Sequence, residues 1–243
     1  MNKGFGFLAA MSCGVAALVT TPTAPVNAHG DVAPQAVDTT GLPNLGDEQL
    51  EENPWRDPTG EAWSAAVTIG DSGYNQNCAR CHGLGAVSGG LAPDLRYLEA
   101  DIDGDEWYLE RFNGGFTQNG ITKMPAFGEL LSQEAAWAIR TYLETRPDDG
   151  ALDDHTDALQ AIKLDLEAKS ASITEGDKTV SDYATEIGAI KQQLSDIAQT
   201  VETGSGAPLA DSVASRAVAA LDDSDESLKK AVDILSIGLS VAQ

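Results

Sequence analysis

The chain has 243 residues, 42% of them hydrophobic but only 6% aromatic, and a formal net charge of −23. That length accommodates one large domain or two small ones. Acids outnumber bases 19 to 7 in residues 29–146 and again in 147–243, and this even acidic coat speaks against nucleic acid and anionic membrane as partners. It fits either a surface suited to high salt or a basic docking partner.

The first 28 residues read as an export signal, with Lys3 at the start, an apolar run over 5–19 and the small-residue pattern Val26-Asn27-Ala28. Cleavage is expected before His29, which places the mature protein in the periplasm. The apolar run is shorter than the ~20 residues of a membrane-spanning helix, so no membrane span is expected. A competing reading makes Cys13 a lipidated first residue, but Ala10 stands where such sites carry a larger aliphatic. Once 1–28 are removed, the chain keeps two cysteines, Cys78 and Cys81. It also keeps three histidines, His29, His82 and His155, and one methionine, Met124.

Residues 29–60 are rich in Pro, Gly and Asp and predict an extended arm, each X-Pro pair discouraging helix. An all-α domain over 61–147 should follow. A helix starting near Glu61 or Val67 carries Tyr74 toward Cys78, and a glycine-rich loop spans 83–93. A second helix runs over about 104–111, and a loop over 113–122 leads to Met124-Pro125. A last helix is capped by Ser132 and stopped by Pro147. All four tryptophans lie between Trp55 and Trp137, whereas the last hundred residues hold one tyrosine and no other aromatic. Residues 148–243 therefore read as a separate acidic helical tail. Leu159, Leu166, Ile173, Val180, Ile187, Leu194 and Val201 recur every seven residues, with Ile162, Tyr183, Ile190 and Ile197 at companion positions. This heptad seam predicts either a coiled-coil rod or a helical hairpin turning at 175–177. Two shorter helices, about 209–221 and 225–240, follow a break at 204–208.

The chemistry lies in Cys78-Ala-Arg-Cys81-His82. A thioredoxin-like pair needs a βαβ context, and none is visible. A structural zinc site needs four ligands, and the mature chain has no third cysteine. Cys-x-x-Cys-His is the attachment pattern of covalent haem c. The two thiols take the porphyrin vinyl groups, and His82 then lies under the iron as one axial ligand. Met124, forty-two residues further on, is the expected second axial ligand, its thioether closing the iron to other molecules. His155, in polar surroundings within the tail, is the bis-histidine alternative. Pro93 is either an ordinary turn proline or the site of a carbonyl that accepts the other ring N–H of His82. His29, once amino-terminal, could chelate copper; an accident of the cleavage point explains it as well.

Gly70-x-x-x-Tyr74-x-x-x-Cys78-x-x-Cys81-His82-Gly83, Ala92-Pro93-Asp94-Leu95, Met124-Pro125 and the closing Trp137-Ala-Ile-Arg-Thr-Tyr-Leu143 resemble the class I cytochromes c. Within residues 29–146, His29-Gly-Asp-Val32, Glu52-Asn-Pro54, Tyr74-Asn-Gln-Asn-Cys78 and Ser132-Gln-Glu-Ala135 are similar to the soluble cytochromes c that accompany quinoprotein alcohol dehydrogenases. The resemblance implies one covalent haem c held by Cys78 and Cys81, with His82 and Met124 as axial ligands. It also implies electron transfer without enzymatic activity. A dehydrogenase carrying pyrroloquinoline quinone (PQQ) would be the donor, and a terminal oxidase or another cytochrome the acceptor. The tail lies outside the resemblance; a homo-oligomer formed through its seam and a merely solubilising appendage both fit. Two rivals remain at this point. One is a haem enzyme or gas sensor with an open iron position, and the other an assembly or tethering protein driven by the tail.

Overall fold

The computed structural model describes residue 1 and residues 34–241. The expected export signal, the Cys13 alternative and His29 lie outside the described residues. Among these residues no helix is long and apolar enough to cross a membrane.

Helix α1 (Trp63–Asn77) starts between the two predicted positions. Its buried residues, Ala66, Val67, Gly70, Gly73 and Tyr74, fall on one face at helical spacing. That face lies on α4 (Gln133–Glu144). The crossing is close because Gly70 has no Cβ; one would collide with the Ala138 carbonyl. A one-turn helix, α2 (Ala79–His82), continues from α1. Helix α3 (Ile102–Gly114) is longer than the sequence predicted, because Asp101 caps it by accepting from the Gly104 amide, and Gly115, at φ +67°, ends it. Helix α4 begins where expected, with Ser132 Oγ accepting the Ala135 amide at 3.2 Å.

The predicted loop over 113–122 is instead an antiparallel hairpin of β1 (Phe116–Gln118) and β2 (Ile121–Met124). Its turn is Asn119-Gly120, both at positive φ. That dipeptide is the strongest short-range hairpin signal, and the short flanks Phe-Thr-Gln and Ile-Thr-Lys-Met, each with a Thr, pair across it.

The arm has neither helix nor strand over residues 34–62 but is tied down along its length. The Leu45 and Leu50 amides donate to the side chains of Glu134 and Gln133. Trp55 is buried against Ala66, Trp137 and Ala138. Arg56 reaches a buried charge cluster in which Asp105 accepts from Arg56 at 2.6 Å and from Arg140 at 2.7 Å. Glu144 completes the cluster, 2.8 Å from Arg56 and 3.1 Å from Arg140.

In the tail, α5 (Thr156–Thr174) and α6 (Ala184–Thr200) are separate helices, joined by a turn through Gly176 at φ +81°. The hairpin alternative is therefore the one adopted. Helices α7 (Val213–Ala220) and α8 (Asp225–Val241) complete a four-helix bundle in which α8 packs on α5 and α7, and α7 on α6. The seam residues Leu159, Ile162, Leu166, Val180, Ile187, Ile190, Leu194 and Ile197 are buried in one core with Leu228, Ala231 and Leu235 of α8.

Candidate functional site

Cys78 closes α1 and opens α2. Its carbonyl accepts from the amides of both Cys81 (3.1 Å) and His82 (3.0 Å), so a single helical turn fixes the two thiols and the imidazole relative to one another. Cys78 and Cys81 are not joined to one another by a disulfide. Burial, with the neighbouring Cys81 adding to it, pushes the Cys78 thiol up to about 12. The turn ends at Gly83 (φ +84°), where a Cβ would collide with the Val87 carbonyl, so only glycine lets the chain reverse here.

His82 is 8% exposed. Its Nδ1 lies 2.9 Å from the Pro93 carbonyl oxygen. An acceptor-only partner makes Nδ1 the protonated nitrogen and leaves the lone pair on Nε2. Burial pushes the imidazole pKa below its ordinary value, partly offset by that hydrogen bond, so the ring is neutral near pH 7. Of the two readings of Pro93, the structure contains the carbonyl contact. A partner that sequence reasoning missed is Tyr74, whose hydroxyl donates to the Gly83 carbonyl at 2.7 Å.

Met124 ends β2 opposite Phe116 and is half-buried. It packs against the same aromatic cluster, Tyr74, Tyr108, Phe112 and Phe127 among others, that Cys78 and Ala79 touch. The structure thus brings together both segments that carry the expected ligands. His155 is held elsewhere, its Nε2 2.8 Å from the Thr200 hydroxyl within the tail.

The residues suit a large apolar disc with a metal at its centre. Leu84, Val87 and Leu91 follow His82, and Phe116 and Ile121 flank Met124; all five are exposed large apolar side chains. They leave apolar surface on the segments next to both His82 and Met124. A neutral imidazole with its outer nitrogen anchored is the form that ligates iron.

A family model described as "Cytochrome C oxidase, cbb3-type, subunit III" matches residues 65–143. Cytochrome c550 of Pseudomonas aeruginosa is 57% identical over 118 residues, covering 49% of this chain and 81% of that protein. Quinohemoprotein alcohol dehydrogenase ADH-IIG of Pseudomonas putida is 35% identical over 86 residues, 35% of this chain and 11% of that one. Its counterpart ADH IIB, from the same organism, is 35% identical over 80 residues, 33% of this chain and 11% of that one. No solved structure matches.

Proposed function

The chain belongs to the class I cytochromes c, and on that premise we propose that it is a periplasmic carrier taking electrons from a PQQ-dependent alcohol dehydrogenase. Membership of the family makes it an electron-transfer protein with covalent haem c, not an enzyme. When bound, the haem supplies a one-electron Fe(III)/Fe(II) couple. Electrons would pass on to a terminal oxidase or another cytochrome.

The observation that carries the residue assignment is the Cys78–His82 turn, with the His82 Nδ1 proton on Pro93 and Met124 packed on the same cluster as Cys78. Cys78 and Cys81 are the tethers. Their two sulfurs would hold the porphyrin as thioethers. Burial that disfavours a thiolate costs nothing once the sulfur is a neutral thioether. His82 would hold the iron through Nε2 and Met124 through its sulfur. With both residues so engaged, no acid, base or nucleophile is needed nearby, and a transient docking surface below ~1,200 Å² suffices.

The donor assignment is supported by the likeness to a segment of two quinohemoprotein alcohol dehydrogenases. The tail reads as a self-contained bundle, since its seam is buried against α7 and α8 of the same chain rather than left for a second copy.

Rapid mixing with a quinoprotein alcohol dehydrogenase purified from the same source is expected to reduce the protein. Absence of reduction would remove the donor assignment and leave the haem assignment standing. Met124→Ala is expected to abolish the near-infrared sulfur–iron band of the oxidised protein. An intact band, or ready carbon monoxide binding by the unmodified ferrous protein, would favour an enzyme or sensor with an open iron position.

A further inference from the structure

Residues 202–216 bring the chain back from the tail onto the haem-binding domain, and they do so beside the segment that carries the Pro93 carbonyl. The Ser205 carbonyl accepts from the Ala100 amide at 3.0 Å. The Ser205 hydroxyl donates to the Glu144 carbonyl at 2.6 Å. Gly204 lies so close that an added Cβ would stand 2.9 Å from the Arg96 carbonyl oxygen and 3.2 Å from the Tyr97 ring. Arg96 is pinned in turn by Asp94, its Nε 3.0 Å and its Nη2 2.9 Å from the carboxylate oxygens. The wedge at Gly204 therefore bears on residues 94–97, directly after Pro93.

A second line of contact reaches Gly83, the residue after His82. Asp211 accepts from Arg146 at 2.6 Å and from Arg216 at 2.5 Å. The Arg146 guanidinium lies 3.9 Å over the Tyr142 ring, which stands 5.2 Å from the Tyr74 ring. The Tyr74 hydroxyl holds the carbonyl of Gly83, the neighbour of His82. Both lines end on backbone that flanks the histidine.

We propose that Gly204, Ser205 and Asp211 of the tail are positioning residues for His82, and that docking of this return segment sets the iron's reduction potential through the His82–Pro93 hydrogen bond. The proposal rests on the reading of His82 as an iron ligand. An outer-shell acceptor on Nδ1 raises the basicity of the coordinating nitrogen. A more basic ligand favours the higher oxidation state and lowers the potential. Loosening the wedge lets the carbonyl drift, weakens the hydrogen bond and raises the potential. The bundle is then part of the electron-transfer device although none of its helices supplies a ligand.

The test uses the full-length holoprotein with Gly204→Ala, Ser205→Ala and, as control, Gly188→Ala, whose site on α6 has open space for a Cβ. Gly204→Ala is expected to keep the visible spectrum, speed exchange of the Ala100 amide about tenfold and raise the midpoint potential. Ser205→Ala removes two hydrogen bonds, to the Glu144 carbonyl and from the Ala207 amide, without adding bulk. It should shift the potential the same way by less, and it carries the test if Gly204→Ala does not fold. Gly188→Ala should move neither quantity. A potential unchanged or lowered in both return-segment variants overturns the proposal whatever the exchange rates do, because the docking would then be structural only. Paramagnetic NMR of the unmodified protein separates the two readings: haem without a histidine ligand would overturn both, whereas an unmoved potential overturns this one alone.

Discussion

The two halves of the molecule carry the same charge yet are held together differently. The core of the haem-binding domain is aromatic, with Tyr74, Tyr108, Phe112, Phe127, Trp137 and Tyr142 all buried, and it is braced by the buried ions Arg140, Asp105 and Glu144. The bundle core is made only of leucine, isoleucine, valine and alanine. A short, repeating aliphatic pattern suffices where helices need only bury a stripe. Enclosing a flat cofactor instead takes wide rings and loops, and loops need polar ties to hold their backbone. The difference separates a region that folds around a ligand from one that folds around itself.

That contrast can be broken at several points. Replacing both Cys78 and Cys81 by alanine is expected to abolish covalent haem completely, read by mass spectrometry, while proteolysis still finds α5–α8 folded. Loss of the bundle as well would mean the halves do not fold independently. Arg140→Ala leaves Asp105 and Glu144 buried with Arg56 as the one cation of their cluster and strips the Leu98 and Glu99 carbonyls of a donor. A cost of about 3–5 kcal/mol is expected in denaturant unfolding followed by haem absorbance. Leu194→Ala, at a fully buried seam position, should cost about 3 kcal/mol in the bundle transition with the haem spectrum unchanged.

The smallest effect is expected at the joint. Burial by itself would push the Asp211 carboxyl up, but hydrogen bonds and charge from Arg216 and Arg146 outweigh it and hold the carboxyl below its ordinary 3.8. A depressed carboxyl stabilises the folded state above its unfolded value, and that contribution fades as the pH falls below 3.8. Thermal melts from pH 6 down to 3 should show the joint weakening only at the acid end. Asp211→Asn should flatten that dependence.

These contrasts also explain what could be read in advance. Cys78, Cys81 and His82 stand out in the sequence because their spacing is held within five residues, and Met124 because no other methionine follows residue 28. The tail helices are legible from period alone, and only the choice between rod and hairpin hung on Gly176. The Asn119-Gly120 hairpin was written in the chain but is overshadowed by the glycines around it. Arg56, Asp105, Arg140 and Glu144 are different. Arg140 and Glu144 are four residues apart, but Arg56 and Asp105 come from far along the chain, Arg56 lying 88 residues from Glu144 and Asp105 35 from Arg140, and all four look like any other part of an acidic coat until the fold buries them together. The stretch 204–208 has the composition of a flexible break, yet it is a docked turn, because glycine permits close backbone approach as readily as it permits freedom.

The antiparallel bridge between Pro147 and Thr203 ties residues 148–202 into a closed loop at its base. The entropy of closing such a loop grows only with the logarithm of its length, by roughly 0.6 kcal/mol per doubling. The exposed turn around Gly176 can therefore accept added residues with little effect on the bridge below it. Insertions there lengthen the loop without touching the iron site.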